Sequence, residues 1–199
     1  MVGEKSRRSI DKSLWTHRFL ITQLTKREIQ QRYRGSALGI LWSVARPTLL
    51  LVVYAFVFGV VFTVRFDQAA DSRASFALAL FTGILIFGFF SESLSRAPSL
   101  VLAHRGWVKR VVFPLHVLSC VSVLSALFYS LIGLGILALG QLATLGTLHL
   151  TWLLFPLLVL LPMVLLNLGL SWAVSAVGTY IPDVEPLVNL GLTLLTFMT

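Results

Sequence analysis

The side chains able to do chemistry in this 199-residue chain are few and scattered. Beyond Arg110 the ionisable candidates are His116, Cys120, Tyr129, His149, Tyr180, Asp183 and Glu185, and none stands at catalytic spacing from another. The sequence has no HExxH zinc helix, no GxSxG nucleophile turn and no GxxxxGK[ST] loop whose backbone could cradle a phosphate, so ATP is not bound by a recognisable motif. A lone histidine at the edge of an apolar run, such as His116 or His149, suits an interfacial hydrogen bond better than ligation. Cys120 is the single cysteine, which removes both an internal disulfide and a cysteine-based metal site. No Asp or Glu falls in the middle of an apolar run, and this argues against a proton- or sodium-driven carrier.

Aromatic rings and cations remain. Tyr54, Phe58 and Phe62 recur at i, i+4 and i+8, while Phe76, Phe87 and Phe90 share one face of a later helix. Such stripes serve helix packing or lipid contact, or they line a path on which sugar rings stack. The cations gather in two places. Lys26, Arg27, Arg32, Arg34 and Arg46 precede the uncharged run 47–64, and Arg96, Arg105, Lys109 and Arg110 lie in ESLSRAPSLVLAHRGWVKRVVFP, residues 92–114. In that second segment Glu92 and Arg96 can pair at i, i+4, Pro98 interrupts the helix, and 100–108 can present Arg105, Trp107 and Lys109. Exposed Trp and Arg are common interface anchors, and about 20 residues exceed what a plain connection needs. The segment is either an ordinary loop or a partner contact.

The elements that must position these residues are membrane helices. A chain that is 57% hydrophobic and 12% charged, with mean hydropathy +0.88, would cover a soluble domain in apolar surface. The formal charge of +8 does not call for nucleic acid, because 10 of the 16 Lys and Arg precede Pro47 and follow the positive-inside rule. Residues 1–34 read as a basic tail followed by an imperfectly amphipathic helix from about residue 12, with Trp15, Phe19, Ile29 and Tyr33 on one side and Leu20, Ile21 and Leu24 on another. That helix fits the headgroup layer, and a cytosolic helix on a partner fits the pattern nearly as well.

Residues 35–199 then read as spans at about 37–64, 74–95, 113–139, 150–179 and an incomplete one at 187–199, with a cytosolic segment at 96–114. The 72 residues 111–182 contain no Asp, Glu, Lys or Arg, enough for two spans with their turn at 140–149. Pro156 and Pro162 fall inside the fourth span, and 180–186 forms a tight acidic loop. With the N-terminus inside, inner segments hold 14 basic residues and outer segments 2. The chain is expected to stop inside its fifth span.

The stretch RYRGSALGILWSVARPTLLLVVYAFVF, residues 32–58, resembles the start of the ABC-2 type permeases that export O-antigen, capsule and teichoic acid. SESLSRAPSLVLAHRGWVKRVVFP looks like that family's cytoplasmic segment ending in Phe-Pro, here Phe113 and Pro114. AVGTYIPDVEPLV looks like its Tyr-x-Arg-Asp-Val loop, with Pro182 where the family often has Arg, so any role of that Arg has no counterpart here.

The resemblance implies an all-α, six-span bundle of the type V exporter kind with an N-terminal interface helix, about four and a half of its spans present, and a re-entrant segment and a sixth span after Thr199. It implies a homodimer in the bacterial inner membrane that recruits two nucleotide-binding ATPase subunits and moves a lipid-linked polysaccharide outward, as in lipopolysaccharide biosynthesis. ATP and Mg would sit on the partner, with no cofactor or metal on this chain and no catalytic residue. On this pattern Arg96, Arg105, Trp107, Lys109 and Arg110 couple to the ATPase. Trp15, Arg27, Arg32, Tyr33 and Arg34 form the interface helix, and Tyr54, Phe58, Phe62, Phe87 and Phe90 line the glycan path. The competing readings are an ABC-2 permease for drugs or lipids, a non-transporting scaffold for a cytosolic partner, and a membrane-embedded glycosyltransferase. The last lacks any acidic or histidine constellation.

Overall fold

The computed structural model describes residues 18–57, 70–103, 115–181 and 183–198, and every regular element among them is helical. Helix α1 is Arg18–Arg32. A 3-10 turn, Gly39–Leu41, leads into α2, Trp42–Phe56. Helix α3, Ala70–Arg96, is followed by a second 3-10 turn, Ala97–Ser99, and the short α4, Leu100–Ala103. The long helices α5, Leu115–Leu145, and α6, Leu150–Tyr180, precede α7, Val184–Met198. Four stretches are long and apolar enough to cross a bilayer, Gly39–Phe56, Ser75–Ser99, His116–Leu145 and Leu150–Tyr180. The protein is an all-α, multi-pass membrane protein.

Helix α1 stops where its sequence makes it stop. The carbonyls of Gln31 and Tyr33 accept the N–H groups of Arg34 and Ser36 at 3.2 and 3.1 Å, and Gly35 between them holds φ +90, a conformation that glycine alone adopts without strain. The helix therefore ends two residues short of the expected Arg34, and its earlier part, with Trp15, lies outside the described residues. The turn between α5 and α6 is also shorter than 140–149. Helix α5 continues through Gln141 to Leu145 before Gly146 reverses the chain at φ +67.

The core is built between α3 and α5. Leu78, Phe81, Leu85 and Phe89 of α3 pack with Val123, Ala126, Leu134, Ile136 and Leu137 of α5 and with Leu160 of α6. Helix α5 is the axis of the bundle: 61% of its apolar stretch is buried, against 6% for the stretch containing α2. The outer faces of α2 and α6 are apolar and exposed, as lipid-facing surfaces must be. Small residues permit the closest approaches. Leu85 leans over Gly133, Leu51 and Leu78 over Gly140, and the backbone of Pro98 over Gly178.

The uncharged run of α3, residues 74–91, holds 18 residues, about 27 Å of helix and close to the thickness of the hydrocarbon core. Glu92 thus marks the boundary of the membrane. Helices α5 and α6 have 31 residues each, roughly 46 Å, and overshoot that core. The overshoot lies where α5 passes Glu92, and its packing is correspondingly polar: Ser119, Ser122 and Ser125 of α5 and Ser171 and Ser175 of α6 are all buried. Trp172 donates its indole N–H to the carbonyl of His116 at 3.2 Å and ties the two helices together there.

Candidate functional site

Where α1 meets the bundle, a charged cluster crosses three helices. Arg32 pairs with Glu92, Arg96 pairs with Glu28 at 3.0 Å, and Arg96 also reaches Glu92 at 3.7 Å within α3. The hydroxyl of Ser125 donates to the same Glu28 oxygen at 3.2 Å. Glu28 and Arg32 are one turn apart on α1, as Glu92 and Arg96 are on α3, so two antiparallel turns present alternating charges to each other. Burial is the largest influence on Arg32 and lowers its pKa. The charge and hydrogen bond of Glu92, with Tyr129 and Tyr33, together outweigh it and hold the guanidinium above its ordinary value. Arg32 is therefore a fixed cation.

The guanidinium of Arg32 also stands 4.4 Å from the ring centre of Tyr129, and Tyr33 meets Tyr129 edge-on at 6.1 Å. A cation over a tyrosine face gains electrostatic energy from the ring quadrupole, about 0.5–1 kcal/mol where exposed and more when dry. No residue of α1 is buried and Phe19 is 72% exposed. Its half-buried residues Ile21, Leu24, Thr25, Glu28, Ile29 and Arg32 fall on one face, so aliphatic contacts act together with the ion pairs and rings at its C-terminal end to hold the helix to the bundle.

Beside this cluster opens a pocket of about 380 Å³ between α1, α2, α3 and α5, within the range of small-molecule sites. Arg32, Tyr33, Trp42, Arg46, Glu92 and Tyr129 form its polar end. Leu50, Phe81, Ile84, Leu85 and Phe89 line the apolar end. Phe81 lies 11 residues from Glu92 along α3, so the apolar wall descends about 16 Å from the membrane boundary. Ser43 and Pro47 also line it, and the missing N–H of Pro47 leaves the Ser43 carbonyl without its helical donor. The pocket accordingly offers cations and rings above an apolar wall.

The structure distributes the sequence-predicted residues unevenly. Arg32 and Tyr33 of the interface helix enter the cluster, Arg27 lies on the same helix, and Arg34 is exposed in the turn after it. Arg96 is engaged in the ion pairs just described. Arg105, Trp107, Lys109 and Arg110, with Trp15, Phe58 and Phe62, lie outside the described residues. Phe87 and Phe90 touch at 6.2 Å between ring centres on α3, Tyr54 is half-buried on α2, and none of the three lines the pocket. His149 shares a hydrogen bond with Thr147 at 3.1 Å in the α5–α6 turn.

Sequence reasoning missed Glu28, Ser125 and the placement of Tyr129 and Trp42. The signals present were Glu92–Arg96 at i, i+4 and the Arg46–Pro47 pair at the head of an apolar run.

Residues 20–199 match the family described as ABC-2 type transporter. The chain is 31% identical over 193 residues to the O-antigen export system permease protein RfbA of Myxococcus xanthus, a match covering 94% of this chain and 69% of that protein. It is 26% identical over 180 residues to a Klebsiella pneumoniae protein of the same name, covering 90% of this chain and 67% of the relative.

Proposed function

Because the chain belongs to the ABC-2 type transporter family, we propose that it is the membrane subunit of an ATP-driven exporter that moves a lipid-linked, O-antigen-like polysaccharide outward across the bacterial inner membrane. It works as a homodimer with two copies of a separate nucleotide-binding ATPase, and its N-terminus faces the cytoplasm. The observation that carries this reading is the 31% identity over 94% of the chain to a permease of an O-antigen export system. The pattern of charge supports it, since 14 of the 16 basic residues fall in the segments assigned to the inside. The sequence contains no phosphate-cradling loop, so work must arrive from the ATPase through a contact, and residues 96–114 supply it with Arg105, Trp107, Lys109 and Arg110 as anchors.

The test is genetic and chemical. Deleting the gene in its host should abolish surface polysaccharide and cause lipid-linked glycan to accumulate in the inner membrane, with restoration by the full-length gene supplied in trans. Surface glycan that persists unchanged after deletion overturns the reading.

A further inference from the structure

We propose that the pocket between α1, α2, α3 and α5 binds the phosphate that joins a lipid carrier to its glycan, with Arg46 as its principal ligand. This assignment rests on the exporter reading and specifies where in the subunit the substrate's charged junction is held.

Three observations converge on it. The first is a cation that no described residue neutralises. Arg46 is exposed at the pocket wall, and no hydrogen bond or ion pair joins it to another described residue. Arg32 is paired with Glu92 by contrast. Among the pocket's charged side chains Arg32 and Arg46 contribute +2 and Glu92 contributes −1, which leaves +1. A phosphodiester carries the single negative charge that balances it. A guanidinium fits phosphate oxygens in a planar, two-pronged geometry, which favours phosphate over a diffuse lipid surface.

The second is amphipathicity along the right direction. The polar end sits at the level of Glu92, the membrane boundary, and the wall of Leu50, Phe81, Leu85 and Phe89 leads into the hydrocarbon. A free phosphate would leave that wall without an occupant, whereas a lipid phosphate places its head at Arg46 and its chain along the phenylalanines. The third is the ring set. Trp42 and Tyr33 line the pocket with Arg46, and aromatic faces suit the apolar faces of a sugar adjoining the phosphate. Headgroup phosphate without a sugar would not use them.

Two variants separate the charge from the cavity. Arg46→Gln removes the unpaired cation and keeps a polar side chain of similar length. Gly88→Leu narrows the pocket, because Gly88 lines it and a Cβ there meets nothing within 4 Å, so a side chain can start from that position without a backbone clash.

The experiment uses the purified full-length protein in nanodiscs of phosphatidylcholine, with binding of farnesyl phosphate, farnesol, inorganic phosphate, phosphatidylglycerol and a farnesyl-monophosphate-linked sugar, whose phosphodiester carries a single negative charge, followed by native mass spectrometry. The sugar-linked probe should bind best and farnesyl phosphate next. Farnesol and inorganic phosphate should each bind at least tenfold more weakly than farnesyl phosphate. Arg46→Gln should weaken farnesyl phosphate about tenfold, Arg46→Lys less, and Gly88→Leu should weaken every isoprenyl probe.

Binding unchanged in both Arg46→Gln and Gly88→Leu overturns the proposal. So does inorganic phosphate binding as well as farnesyl phosphate, or phosphatidylglycerol displacing the sugar-linked probe on equal terms, which would make this an ordinary phospholipid site. The readout needs neither ATP nor the partner. Loss of the pocket assignment therefore leaves glycan export in cells intact as evidence for the exporter reading, while an exporter reading that fails in cells is recorded by the deletion strain and not by these binding curves.

Discussion

Replacing Gly178 by alanine tests the tightest contact in the bundle. A Cβ at Gly178 would stand 2.6 Å from the carbonyl oxygen of Pro98, 2.7 Å from its Cα and 3.0 Å from its carbonyl carbon. Carbon atoms in contact settle at about 3.5–4.0 Å, so the two segments must separate by about 1 Å. The obstacle is backbone, not the end of a side chain, and Ala97 and Pro98 are fully buried, so the turn Ala97–Ser99 cannot rotate out of the way. Overpacking of this kind costs about 1–3 kcal/mol, and a backbone obstacle belongs at the upper end. The gain in helix propensity from glycine to alanine returns about 1 kcal/mol, which leaves about 2 kcal/mol of destabilisation. On the scale of a 150–250-residue domain that lowers the melting temperature by roughly 4–8 °C.

The protein carries its own reporter, because Cys120, its single cysteine, is buried on α5 and becomes reactive to a thiol-specific fluorogenic dye only on unfolding. Gly169→Ala on α6, the helix of Gly178, is the control, since a Cβ there meets nothing within 4 Å, and it should melt at or above the parent's temperature. A Gly178→Ala variant as stable as the Gly169→Ala control would refute the argument that this glycine exists for the approach of Pro98.

Three further outcomes are expected. Labelling in intact cells should reach Ser72→Cys and not Ser99→Cys, and the reverse pattern would invert the proposed orientation. A double-mutant cycle on Arg32→Gln and Glu92→Gln should give a coupling energy of about 1–2 kcal/mol by the same thermal assay, above the 0.2–1 kcal/mol typical of exposed pairs; a value near zero would make this contact incidental. Trp107→Ala, or charge reversal at Arg105 and Lys109, should leave the melting temperature unchanged and separate ATP hydrolysis by the assembled complex from glycan export, and parental rates of both would place the coupling contact elsewhere.

The spans were legible where charge delimits them. Arg73 and Glu92 bracket α3 so closely that its membrane portion can be counted from the sequence. The two uncharged spans within 111–182 correspond to the apolar stretches His116–Leu145 and Leu150–Tyr180, but with no charge between them the rule does not mark where each helix leaves the membrane. Ser119, Ser122, Ser171 and Ser175 are buried there and do not ionise, and in a hydropathy reading they are indistinguishable from the small residues of a span. Of the cluster at the end of α1 only the Glu92–Arg96 pair within α3 was legible, and its contacts with α1 were not. Its pairs join residues 60 and 68 apart in sequence, and the apolar residues of α1 fall in two clusters that do not say which face meets the bundle. The pocket draws on four helices, and only Arg46, placed just before Pro47 at the head of an apolar run, gave an early sign of it.

The ion-pair cluster and the Gly178 contact meet in one place, and this bears on how work would reach the membrane. Arg96 is the last residue of α3 and precedes the turn Ala97–Ser99, in which Pro98 lies against Gly178 near the end of α6. Leu100, the next residue after that turn, is buried as well. A displacement entering through residues 104–114 in the proposed exporter would pass through the four residues of α4 into a turn that cannot yield. From there it has two rigid outlets, α6 through Gly178, and α1 through Arg96 and Glu28. The second outlet ends at Arg32, whose partner Glu92 lines the pocket beside Arg46. A movement of α1 would therefore change the balance of charge around the pocket, because drawing Arg32 away exposes Glu92 to any bound phosphate and lowers its affinity. In the proposed exporter such a step would release the phosphate from Arg46 before the substrate moves outward.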